Sequence, residues 1–196
     1  MSRFSVSRHP VRGMLAAAAI ATLATGAAVA VPAQARTQAA ERTASCATTW
    51  GSLPEASSRW SAATVKNVRT GRHGCYDRLV VDLTGRRTGY QIGYVKVATM
   101  DGSGLPVRTR GGAVLQIVVH AAAYDAAGRP TYRMASQREL SSVGGYDTFR
   151  QVAWGGSFEG QTTVALGVRA RLPFRAFTLA GPGNTTRLVV DVAHHW

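Results

Sequence analysis

The sequence predicts an all-β protein, an antiparallel β-sandwich of about eight or nine strands with internal pseudo-symmetry. Three observations lead to it. Short aliphatic runs recur between turn-forming Gly, Asp, Ser and Pro clusters, with little helical periodicity. The chain from Cys46 onward amounts to about 150 residues, one domain's worth, and no linker divides it. One run also returns almost unchanged. Arg78-Leu79-Val80-Val81-Asp82-Leu83 and Arg187-Leu188-Val189-Val190-Asp191-Val192 differ by a single Leu/Val exchange. Side chains alternate along a strand. Leu79, Val81 and Leu83 therefore share one face with core character, as do Leu188, Val190 and Val192. The opposite faces each carry an arginine and an aspartate with a valine between them.

Residues 1–35 read as a signal peptide. Arg3, Arg8 and Arg12 form a basic start, Met14 to Val31 is apolar, Pro32 ends that run, and Ala33-Gln34-Ala35 is an A-x-A cleavage site. A retained membrane anchor is the alternative, since the run is nearly long enough to span a bilayer. Its Ala, Thr and Gly content and the cleavage site favour removal, which leaves no membrane span. A lipobox at Cys46 is disfavoured because Glu41 and Arg42 separate it from the apolar run. Residues 36–45 are small and polar and are expected to be a flexible tail. The mature protein is thus expected to be secreted or associated with the cell wall.

The formal net charge is +13. The leader holds three of the 23 basic residues and none of the ten acidic ones, so the mature chain keeps +10. Such an excess favours polyanionic partners. Outside a cell these are teichoic acids, wall carboxylates and anionic lipid. Nucleic acid is excluded as a partner by the export signal and by the lack of any recognised binding motif. Cys46 and Cys75 are the only cysteines. In an exported chain an even count reads as a disulfide. A metal pair with His73 lacks a second pair of ligands to complete it.

Trp50 and Trp60 lie in the turn-rich stretch between these cysteines. They are read as apolar plugs on a sheet, with stacking on sugars as the alternative. Strands are expected over Thr64–Arg69, Tyr76–Leu83, Tyr90–Val97 and Ala113–His120. A helical turn is expected within Met134–Ser142. Further strands follow over Phe149–Trp154, Gln161–Arg169, Phe174–Leu179 and Arg187–Val192, and Gly155–Gly160 separates two of them.

The run Tyr76–Leu83, with Phe174-Arg175-Ala176-Phe177-Thr178-Leu179 leading into Arg187–Asp191, resembles the AMIN domain. More closely, the chain resembles the AMIN-like proteins of actinobacteria. Cys46 to Pro54, Asp101-Gly102-Ser103-Gly104-Leu105-Pro106-Val107, Pro130-Thr131-Tyr132, Phe158-Glu159-Gly160 and Gly167-Val168-Arg169 fit that pattern in order. The resemblance implies a β-sandwich of exported cell-envelope proteins. It also implies a non-catalytic role, targeting amidases or secretion components by binding peptidoglycan. Classical AMIN domains are shorter, and this chain has extra strands between its two signature halves.

No residue is expected to be catalytic, and no cofactor or metal is expected. Gly-x-Ser-x-Gly is absent. His120 reads as a satisfied strand histidine, His194-His195 as a chain end with at most a weak metal contact. Asp147 and Glu159 are the one conceivable carboxylate pair for sugar hydrolysis. Asp77, Asp82 and Asp191 are natural partners for Arg78 and Arg187 or for strand-end amides. The function expected is a non-catalytic envelope-binding module that recognises peptidoglycan or associated wall polymer. The alternatives are a secreted hydrolase of envelope glycans and an accessory that docks a wall enzyme through a sheet edge. Arg78 and Arg187 are the first candidates for ligand contact, with ion pairing as their competing role.

Overall fold

The two near-identical runs are adjacent strands that pair with each other. The structure, a computed structural model, describes residues 46–196; the expected signal peptide and tail lie outside the described residues. Eleven strands follow in order: β1 Glu55–Ser57, β2 Val65–Arg72, β3 Tyr76–Thr84, β4 Tyr90–Val95, β5 Ala98–Thr99, β6 Pro106–Val107, β7 Ala113–Val119, β8 Phe149–Phe158, β9 Gln161–Val168, β10 Phe174–Ala180 and β11 Thr185–Ala193. A five-stranded sheet has the order β1-β4-β7-β9-β8 and a four-stranded sheet the order β10-β11-β3-β2. Every pairing between these strands is antiparallel. These nine strands are the predicted sandwich, and β5 with β6 adds a small ribbon.

The pseudo-symmetry is local to β3 and β11. Val80 faces Val189, Leu79 faces Val190, Val81 faces Leu188, Arg78 faces Asp191 and Asp82 faces Arg187. A twofold turn about the Val80–Val189 pair exchanges the two strands and their charges. The inward faces behave as alternation requires. Leu79, Val81, Val190 and Val192 are wholly buried. They meet Leu115, Ile117, Val119, Val164 and Leu166 of the opposing sheet in one core. A second, smaller cluster joins Ala98 of β5 to Ala153 and Ala165, with Val107 and Val114 against it. The ribbon therefore covers the outer face of the five-stranded sheet, and the small residues there let its backbone approach.

Two local expectations are corrected. No helical turn forms in Met134–Ser142. That segment runs beside β8, where Leu140 N–H donates to the Val152 carbonyl and Trp154 N–H to the Gln137 carbonyl. Backbone groups of an edge strand need partners, and this demand outcompetes a short isolated helix. Gly155–Gly160 does not separate two strands as a whole. β8 continues through it to Phe158 with a bulge between Trp154 and Ser157. The turn narrows to Glu159 and Gly160, at φ 46° and 80°. Positive φ at both central residues is the type I′ pattern that matches strand twist in a tight hairpin.

The segment before β2 closes one open side of the sandwich. Cys46 and Cys75 form the expected disulfide. It closes a loop of about 30 residues, which in the chain-entropy model contributes roughly 3–4 kcal/mol. The Gly51 carbonyl accepts from Phe174 N–H at the start of β10. β1 pairs with β4 in one sheet, while the Glu55 carboxylate accepts Ala176 N–H of β10 in the other, at 2.8 Å. At the opposite edge the Asp77 carboxylate accepts the amides of Thr148 and Phe149, at 2.6 and 3.0 Å, the strand-end role expected of it.

Two predictions arise here. Val81→Asp or Val190→Asp places an unpaired carboxylate among aliphatic neighbours, at a cost of several kcal/mol against a marginal total. Each variant is expected to be unfolded by circular dichroism, and a wild-type Tm would refute the assignment of the inward face. Glu55 gives a pH effect. Burial pushes its carboxyl above the ordinary value of 4.5, partly countered by the Ala176 amide. The folded state then binds protons more readily than the unfolded state in that window. The contribution of Glu55 to stability therefore falls as pH rises from 4.5 through the raised value. Glu55→Gln is expected to flatten that part of the Tm–pH profile, and an unchanged slope would refute it.

Candidate functional site

Alternation and register arrange the outer face of the four-stranded sheet in rows. One row is Arg175, Asp191, Arg78 and Gly71; the next is Phe177, Val189, Val80 and Arg69; the third is Leu179, Arg187, Asp82 and Asn67. Each row takes one residue from β10, β11, β3 and β2 in turn.

In the first row Asp191 is completely buried between two arginines. Arg78 donates from Nε and Nη2 to its two oxygens at 2.6 and 2.9 Å, and Arg175 donates from Nε at 2.9 Å. The hydrogen bond to Asp191 outweighs burial and raises the already high pKa of Arg78. Aromatic rings complete the arrangement. The Arg175 guanidinium stands 4.1 Å from the centre of the Trp50 ring, and that of Arg78 5.1 Å from the Tyr76 ring. Phe177 lies beside both, at 5.3 and 5.9 Å. Stacking on a ring face holds a guanidinium by its flat side and leaves its edges free to donate. Trp50 thus acts as the expected plug, seated on an arginine as well as a ring.

The third row breaks the twofold relation. Asp82 is held by Arg69, with donors at 2.8 and 3.0 Å, and not by Arg187 opposite it. Arg187 instead donates Nη2 to the Ala180 carbonyl at 3.0 Å, and its Nε is shielded without a partner. The flanking strands cause the difference. β10 offers Arg175 to one aspartate but Leu179 in the other row, and β2 offers Arg69 to Asp82 but only Gly71 beside Arg78. The two candidate arginines therefore share one face, about 13 Å apart along the strands, in unlike states. Arg78 is committed to Asp191, while Arg187 has no carboxylate partner among the described residues.

Sequence reasoning missed Arg175 as a member of this cluster. The signal was present in Phe174-Arg175-Ala176-Phe177, where alternation puts Arg175 and Phe177 on the face opposite the buried Phe174.

Other candidates are placed elsewhere. Asp147 and Glu159 flank the two ends of β8, roughly 30 Å apart along the strand, too far to act on one glycosidic bond. His120 is buried under Trp60, with Nδ1 against the Arg59 carbonyl at 2.9 Å. His73 stacks on Tyr76, and Cys75 is committed to the disulfide. Asp77, Asp147 and His194 bring three metal-capable donors within 4.8 Å of one another. Internal partners account for them: Asp77 holds two amides and His194 Nε2 at 3.2 Å, and Asp147 pairs with Arg72 at 3.0 Å.

A family model, the AMIN-like domain, matches residues 63–194. The chain belongs to the AMIN-like family. The match includes β2 to β11, hence both signature strands, and stops short of Cys46, Trp50 and β1. AMIN-like domains are associated with the cell envelope. No curated protein and no solved structure matches the chain. The disulfide fits an extracytoplasmic location. Among the described residues no helix is long and apolar enough to cross a membrane.

The prediction here separates the two signature arginines. Asp191→Asn leaves Arg78 and Arg175 facing each other without an anion. It is expected to cost about 2–3 kcal/mol, less than for a fully buried pair because both arginines reach water. Arg187→Gln removes no ion pair and is expected to cost under about 1 kcal/mol. Urea denaturation of both variants checks the order, and equal losses would refute it.

Proposed function

We propose that this AMIN-like domain is a non-catalytic wall-binding module, secreted or wall-associated after cleavage near Ala35, that recognises peptidoglycan or an associated polymer such as teichoic acid. One observation carries the reading: seven of the nine acids among the described residues are engaged by partners within the chain, while many arginines have no acid of their own. Asp77 and Glu55 hold backbone amides, and Asp82, Asp125, Glu139, Asp147 and Asp191 hold arginines. Arg86, Arg87, Lys96, Arg108, Arg171 and Arg187 have no carboxylate partner among the described residues. Each acid–arginine pair cancels one arginine with one acid, so the excess positive charge rests on the cations that have no acid beside them. Guanidinium groups pair bidentately with phosphate and carboxylate, which wall polymers display.

Three of the four sheet edges are blunted against docking of a wall enzyme by strand addition; the fourth, β2, is bonded at Val65 by Ala122 and Thr131. β1 is three residues long, the edge of β8 is bonded by the Gln137–Leu140 segment, and the start of β10 is bonded by Gly51 and Glu55. Strand addition requires a row of free backbone groups.

Co-sedimentation of the secreted protein with purified walls, with and without teichoic acid, tests the reading. Binding is expected to weaken steeply as salt shortens the screening length from about 10 Å at 0.1 M to about 3 Å at 1 M. A fraction is expected to survive high salt and to be displaced by soluble wall fragments. No sedimentation at low salt would overturn the proposal, and complete loss at high salt would reduce it to non-specific polyanion attraction.

A further inference from the structure

A cleft of about 460 Å³ opens where the ribbon of β5 and β6 meets the ends of β4 and β7, away from the arginine rows of the four-stranded sheet. Lys96, Arg108 and Arg171 stand around it, and no acidic residue lines it. All three cations are exposed, and none has a carboxylate partner among the described residues. Arg171 is held in place by neutral groups. It donates Nε to the Ser52 hydroxyl at 3.1 Å and Nη2 to the Ser52 carbonyl at 2.9 Å, and it lies over the Tyr94 ring at 5.2 Å. Its position is therefore fixed while its charge stays unneutralised.

The other walls narrow the ligand. Val95 and Val97 line the cleft and are exposed, an apolar strip beside the cations. Thr109 Oγ1 packs against Gly167 and is shielded from solvent, so it faces the sheet and not the cleft. Gly111 forms part of the rim at φ 122°. Its Cα packs against the Val168 backbone, which a side chain would meet, so the rim is a built feature and not a slack loop. Asn, Gln, Asp and Glu, which hold neutral sugars by their hydroxyls, are missing from the lining. The Tyr94 face that a sugar ring would stack on is taken by Arg171.

We infer that this cleft binds the free carboxylate end of a short peptide with small aliphatic side chains, the cations taking the carboxylate and the valines the methyl groups. The inference rests on the wall-binding reading and narrows it, since it assigns the salt-resistant part of binding to stem-peptide ends and not to the glycan strand. The arginine rows would then supply the long-range, salt-sensitive attraction.

The test uses the secreted protein and the dipeptide Ala-Ala, as the free acid and as the C-terminal amide, followed by amide chemical shifts. The free acid is expected to shift the resonances of Val95, Val97, Gly111 and Gly112. Amidation, or the Lys96→Gln/Arg108→Gln double variant, is expected to weaken binding at least about tenfold, the loss of one charge-assisted contact. Equal binding of acid and amide would overturn the inference, as would equal competition by inorganic phosphate or by a glycan fragment lacking peptide. Salt-resistant wall sedimentation that survives the double variant would overturn the cleft and leave the wall reading standing. Dipeptide binding without wall sedimentation would do the reverse.

Discussion

The burial of Asp191 between Arg78 and Arg175 is the constraint around which the four-stranded sheet is built. A carboxylate with no solvent exposure is tolerated only if its charge and lone pairs are met. Meeting them requires one arginine from the strand on each side, and so fixes the mutual register of β10, β11 and β3. A slip of one residue would turn the aspartate into the core and the valines out. The charged row thus works as a register pin, and the aliphatic core supplies the driving force. The echo of one sequence in two strands follows from the same requirement. In an antiparallel pair, a strand reading cation, valine, anion can pair with a copy of itself at both ends, and here one of the two pairs, Arg78 with Asp191, is formed.

The cationic surface is a second outcome of this arrangement. Several acids sit where the fold needs an anion: Asp77 at a strand end, Glu55 across the open side of the sandwich, Asp191 between Arg78 and Arg175. Arginines beyond those positions have nothing left to pair with. Each acid that holds an arginine cancels it, and the cations left over become available to an anionic polymer. Surface attraction of this kind selects poorly among polyanions. A cleft with a fixed cation and an apolar strip can discriminate where an open sheet face cannot.

Much of the sandwich was legible because two-residue alternation is a local property. Leu79, Val81, Val190 and Val192 could be assigned to the core from their neighbours alone. So could the turn residues and the disulfide, which needed only composition and export. The partners of Arg78 and Arg187 could be narrowed to acids of the echo strands. That Arg78 takes Asp191 while Arg187 takes no acid depended on β10 and β2, whose lateral placement no local pattern states. The ribbon of β5 and β6 was invisible for a related reason: pairs of two residues carry no period. The cleft was hidden most completely. Lys96, Arg108 and Arg171 come from three separate loops, and their proximity exists only once β4, β7 and the β9–β10 connection are in place.

Both ends of the described chain are fastened to one residue. Cys46 is bonded covalently to Cys75, and His194 donates its amide to the Cys75 carbonyl. β3 leaves that point and β11 returns to it, so the molecule has a tethered pole and, some 30 Å away along nine-residue strands, a free one. At the free pole Gly85 N–H bonds the Asn184 carbonyl, joining the β3–β4 connection to the β10–β11 hairpin, with Arg86 and Arg87 beside it. A body attached ahead of Cys46 would therefore crowd the Cys75 end and leave those two arginines facing outward. The fold fixes an orientation as well as a shape, and a chain moored by its ends would present the same cationic tip to whatever lies beyond it.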